Sequence, residues 1–147
     1  MLKTNQKKLY VALAIFSLGV FAGNAGQFVS DANAQSSDRV FELRTYTTLP
    51  GRLDALHTRF EDHTIRIFER HGMTSIGYFS PQDEPLADNT LIYMLAHDSR
   101  EAADASWAAF IADPEWQEVA EASQVDGRII EKLERVYLDP TSFSQMK

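Results

Sequence analysis

The chain has 147 residues, with 14 Lys and Arg against 21 Asp and Glu for a net charge of −7, and it contains no cysteine. That length is ordinary for one domain. The acidic balance opposes nucleic acid and anionic lipid as partners, and the lack of cysteine excludes disulfides, thiol chemistry and thiolate metal sites.

The first quarter differs from the rest. Lys3, Lys7 and Lys8 precede an apolar run of 14 residues, Leu9 to Ala22, and Ala32 and Ala34 offer a small-x-small cleavage site. This is the layout of a secretory signal peptide over residues 1–34, and the run is short of the roughly 20 residues that span a bilayer. Because the stretch from Ala22 to Ala34 is long for a cleavage region, a retained N-terminal anchor is the alternative. Cleavage after Ala34 gives an exported chain of 113 residues with 11 basic and 20 acidic side chains, a net charge of −9. It opens on a polar tether, residues 35–39, ahead of a domain over residues 40–144.

RVFELRTYTT alternates with period two, placing Phe41, Leu43 and Thr45 on one side and Glu42, Arg44 and Tyr46 on the other. That pattern predicts a strand. After Pro50 and Gly51, the spacing of Leu53, Leu56, Phe60, Thr64 and Ile67 predicts an amphipathic helix that stops at Gly72. Met73–Ser80 and Thr90–His97 predict a long-looped hairpin. Asp98 with Glu101 resembles a capping box, opening an Ala-rich helix to Ile111. Asp113 and Pro114 restart it as a cap and a first-turn proline, so the second helix should be bent or broken. Ile129–Leu138 predicts a fourth strand, although its EKLER centre also suits a helix.

The order strand, helix, strand, strand, helix, strand predicts an α+β, ferredoxin-like βαββαβ fold, a four-stranded antiparallel sheet with both helices on one face. The other face would be bare, and a second copy packed against it is the symmetric solution.

VFELRTYTTLPGRLDAL, HTIRIFERHGM, IGYF, ADPEWQ and LDPTSFS, in that order from Val40 to Ser144, resemble the NIPSNAP family. The resemblance implies the dimeric α+β barrel superfamily, and hence a homodimer. It implies no defined reaction. Superfamily relatives include cofactor-free oxygenases of aromatic polyketides, haem-degrading enzymes and chlorite dismutase-like haem proteins.

His71 falls within the apolar stripe of the first helix, with His57 and His63 flanking it. His71 suits a helix C-terminus, where the dipole favours an imidazolium; His57 should be solvated; His63 could enter a gap between helix and sheet. His63 and His71 lie about 12 Å apart along the axis and cannot share an ion. His57 with Glu61 has ligand spacing but no third helical partner, so no metal site is expected; no cofactor is expected either. Arg44 is open to two readings, a structural ion pair with Glu42 or Glu134 in the barrel interior, or an anion-binding group. Tyr46, Tyr78, Tyr93, Trp107 and Trp116 serve either as core or as the wall of a flat apolar pocket, and His97 is the candidate axial ligand if haem binds.

No nucleophile elbow, phosphate loop or dinucleotide fingerprint is present. The expectation is an exported homodimer holding a small apolar or aromatic molecule between helices and sheet, with Arg44, Tyr46, His63, Tyr78, Tyr93, His97 and Trp107 around it. The alternatives are a cofactor-free oxygenase or isomerase with His63 as base and Arg44 or Tyr78 as oxyanion partner, a haem-handling protein, and a structural interaction module.

Overall fold

A computed structural model describes residues 39–147; the expected leader and all of the tether but Arg39 lie outside them. Strands β1 (Val40–Thr48), β2 (Thr74–Phe79), β3 (Thr90–His97) and β4 (Ile130–Leu138) form one antiparallel sheet in the order β2-β3-β1-β4. The β-branched and aromatic ends of β4 therefore prevail over its helix-like centre. Between the strands lie α1 (Leu53–Arg59) and α2 (Ile65–Arg70), joined by a π-helical turn at Phe60–Thr64, and then α3 (Arg100–Ala112) and α4 (Pro114–Ala122). No helix among the described residues is long and apolar enough to cross a membrane.

Register decides which side of the sheet meets the helices. Glu42, Arg44 and Tyr46 pair with Leu95, Tyr93 and Leu91, and paired residues share a face. All six are buried, so the polar side of β1 faces the helices. Leu43, Met94 and Val136 share the opposite face, which no helix among the described residues covers; Val136 is 53% exposed there.

The space between helices and sheet is filled. Phe60 meets Tyr46, Phe68, Tyr78 and Tyr93 edge-on at centroid distances of 5.2–6.0 Å, while Phe68 continues the chain of rings to Trp107 and Phe110. Such tilted contacts add to the burial of apolar area. The Tyr93 hydroxyl donates to that of Tyr46 at 3.0 Å, satisfying it inside the core.

The buried carboxylate of Glu42 ties α3 to this face. It accepts from Trp107 Nε1 at 2.6 Å, has His97 Nε2 at 3.0 Å, and faces Arg44 Nη1 at 3.5 Å. Arg44 in turn lies over the Trp107 ring, 3.8 Å from its centroid. Burial pushes the Glu42 carboxyl up, but the hydrogen bonds from His97 and Trp107 and the Arg44 charge outweigh it and leave it below the ordinary value.

The π turn is the departure from the expected helix. Ile65 N–H reaches back to Phe60 O, five residues earlier, and the Thr64 hydroxyl donates to Arg59 O at 3.0 Å. One additional residue in a turn sets everything after it back by about 100°. That aligns Leu56, Phe60, Thr64 and Phe68 on one buried line and carries His63 off it.

Asp113 joins the two helical layers. Its Oδ1 accepts from Glu115 N at 2.9 Å, the cap expected from the sequence, while Oδ2 meets Arg70 Nη2 and His71 Nε2, both at 2.6 Å. Glu115 binds Arg66 and Arg70. The cap of α3 is Ser99, which accepts from Ala102 N at 3.1 Å, and not Asp98. Ser99 adopts the extended backbone that a cap needs.

Two predictions follow from these anchors. Glu42→Ala leaves Arg44 without its counter-charge and Trp107 Nε1 without its acceptor, so urea unfolding should show a loss of roughly 3–5 kcal/mol; a loss below ~1 kcal/mol would refute the anchor. The second concerns acid. Hydrogen bonds from His71 and Arg70 hold Asp113 well below the ordinary carboxylate range, and Arg66 and Arg70 hold Glu115 down to about 2. Carboxyls depressed by folding stabilise above their unfolded pKa near 4 and lose that contribution as pH falls through the folded value. The Tm should therefore drop between about pH 4.5 and 2, less steeply in Asp113→Asn, and equal slopes would contradict the assignment.

Candidate functional site

The combined α1, π turn and α2 rod separates two grooves. The first, about 460 Å³, runs between the rod and the β2 edge and is lined by His57, Phe60, Glu61, Ile65, Arg66, Glu69, Tyr78, Phe79, Ser80 and Leu91. The second, about 480 Å³, runs between the rod and α4 and is lined by Ala55, Thr58, Arg59, His63, Glu118, Val119, Ala122 and Ser123.

Local sequence explains the first groove. A bulge between Ser75 and Gly77 disturbs the β2–β3 register, and Phe79 lies across Gly77, where an added Cβ would come within 2.6 Å of the Phe79 ring. A side chain at position 77 would make the exposed Phe79 ring move. Phe60, Phe79, Tyr78 and Leu91 make the walls apolar, and Tyr78 is pinned by a 2.7 Å hydrogen bond between its hydroxyl and Ser75 Oγ. Burial raises the Tyr78 phenol above its ordinary value, so it stays neutral. Glu61 and Glu69 are exposed at the rim, where Arg66 is held by Glu115. The groove therefore favours neutral or cationic molecules.

His57 belongs to this groove, contrary to the expected solvated position. It is half-buried, and its Nε2 is buried without a hydrogen-bond partner among the described residues. Such a nitrogen needs an explanation. His57 and Glu61 share the groove, but among the described residues no three His, Asp or Glu side chains converge as metal ligands do.

The residues singled out from the sequence fall into three places. Arg44, Tyr46, Tyr93, His97 and Trp107 come together in the packed interior; Tyr78 lies in the first groove, and His63 in the second. Arg44 takes the ion pair with Glu42 rather than Glu134, on the helix-facing side. His97 has no exposed side-chain surface and its Nε2 is engaged by Glu42, a geometry unsuited to an axial haem ligand. His63 faces α4 instead of the gap between helix and sheet, because the π turn rotates it there.

Arg59 was not anticipated. It is 5% exposed in the second groove, and no carboxylate among the described residues pairs with it. Its i, i+4 spacing to Ala55 and His63 was the available signal.

Residues 41–145 match the NIPSNAP family model. No curated protein matches the chain. Among solved structures, a NIPSNAP family protein of unknown function from Agrobacterium tumefaciens superposes with a TM-score of 0.66 at 27% identity, covering 76% of this chain and 96% of that one. A NIPSNAP-like domain protein from Burkholderia xenovorans gives 0.64 at 26% identity, covering 74% and 90%. SnoaB, a cofactor-independent oxygenase from Streptomyces nogalater, gives 0.51 at 15% identity, covering 75% and 99%, a likeness of fold alone. The sequence match over most of the chain and the shared ferredoxin-like α+β fold agree: this chain belongs to the NIPSNAP family.

Proposed function

We propose that the chain is an exported homodimer that binds a small, flat, largely apolar molecule in the groove beside Tyr78. The carrying observation is the combination of aromatic walls from Phe60, Tyr78 and Phe79 with the unpartnered His57 Nε2. A pocket of apolar walls and few convergent polar groups is the usual form of a small-molecule site. A hydroxylated aromatic supplies both the ring and the hydrogen bond. On this reading the ligand sits at the sheet edge rather than in the aromatic interior. Support for export is the lysine-rich start, apolar run and small-x-small site of the first 34 residues. Support for the dimer is the uncovered sheet face bearing Leu43, Met94 and Val136.

A second reading, catalysis by a cofactor-free oxygenase or isomerase, uses the same groove. The fold shared with SnoaB permits it, and the observation favouring it is His57, whose free ring nitrogen suits a general base better than His63 in the other groove.

Titrating the chain from Gln35 with 1-naphthol should give a saturable rise in Tm. Phe79→Asp, at a position 57% exposed, should abolish it while leaving the unliganded fold intact. An unchanged rise in that variant, or none in the wild type, removes the groove from consideration. Oxygen uptake during the titration, lost in His57→Ala, would select the catalytic reading. The dimer is tested separately: sedimentation at micromolar concentration should give twice the chain mass, and Val136→Lys should give single chains. A monomeric wild type would sink this part.

A further inference from the structure

We propose that the groove between the rod and α4 is a second, independent site, one that takes a monocarboxylate with an apolar tail and holds its carboxylate on Arg59. Arg59 is nearly buried, and Nη1 donates to Ser123 Oγ at 3.3 Å, while Nε is buried with no partner among the described residues. The Trp116 ring lies 5.4 Å from the guanidinium. These are weak compensations. Taking a cation out of water costs several kcal/mol unless an anion meets it, and an arginine does not escape by losing its proton.

The neighbouring α4 C-terminus does not require this arginine. Arg52 already serves it, with Nη2 donating to Gly127 O at 3.0 Å and to Ser123 O at 3.4 Å. Arg59 instead lines a groove of about 480 Å³ in which Thr58, His63 and Ser123 add polar groups and Ala55, Val119 and Ala122 form apolar walls. A guanidinium fork suits a carboxylate or a phosphate. Glu118 at the groove and the chain's net charge of −7 oppose a dianion, and the apolar walls would waste an inorganic one. A single negative charge on an aliphatic tail fits all of these constraints.

Octanoate at millimolar concentration should raise the Tm of the chain from Gln35, whereas octan-1-ol and inorganic phosphate should not. Two variants report on the site. Arg59→Met should weaken octanoate binding by roughly ten- to a hundredfold, the loss expected for a charge-assisted hydrogen bond. Ala122→Glu, at an exposed α4 position, brings an internal carboxylate to Arg59 and should raise the unliganded Tm while abolishing the octanoate response. Phe79→Asp, in the other groove, should respond like the wild type, separating this site from the one beside Tyr78. No octanoate response in the wild type, an equal response to octan-1-ol, or an equal octanoate response in Ala122→Glu would overturn the proposal.

Discussion

A carboxylate with no solvent exposure holds the domain together. Glu42 gathers Trp107 from α3, His97 from β3 and Arg44 from its own strand into one buried cluster. A lone charge there would be strongly destabilising, and this one is tolerated because hydrogen bonds and a counter-charge reach it. The consequence spreads across the sheet. With the polar side of β1 committed to the helices, period-two alternation sends Phe41, Leu43 and Thr45 to the other side, and β3 and β4 add Met94 and Val136. The helix-facing side therefore mixes these polar groups with Leu91, Tyr93 and Leu95 of β3, and the opposite side mixes its apolar residues with Glu134 and Lys132 of β4. The architecture thereby leaves Leu43, Met94 and Val136 on a face that no helix among the described residues covers.

The aromatic core sets where open volume lies. Tyr46, Phe60, Phe68, Tyr93, Trp107 and Phe110 interlock between the layers. Free volume is displaced to either side of the first helical rod. One groove has aromatic walls and acidic rims, the other a buried arginine and aliphatic walls. Two chemically distinct grooves on one short domain follow from one rod having a neighbour on each flank.

Most of the architecture was legible because it rests on local periodicity. β3 begins and ends at Thr90 and His97 as read from the sequence, and the break at Asp113 and Pro114 stands where capping chemistry placed it. What escaped depends on long-range geometry. Alternation divides β1 into two faces but does not say which one meets the helices. Glu42 and Trp107 are 65 residues apart, and no local pattern announces their pairing. His57 and Arg59 were missed for a different reason: both precede the π turn, and the groove walls they face come from β2 and α4, which no helical wheel contains. The family resemblance was legible from short motifs in order, and it carries the fold but no reaction.

The π turn also governs how this chain can be compared with its kin. A homologue that lacks the additional residue within Phe60–Thr64 would continue as a regular α-helix, with every later side chain swung round by about a quarter-circle. An alignment must then open a one-position gap inside a helix, where gaps are ordinarily penalised. Paired without it, histidines and arginines that match by column would look into different clefts.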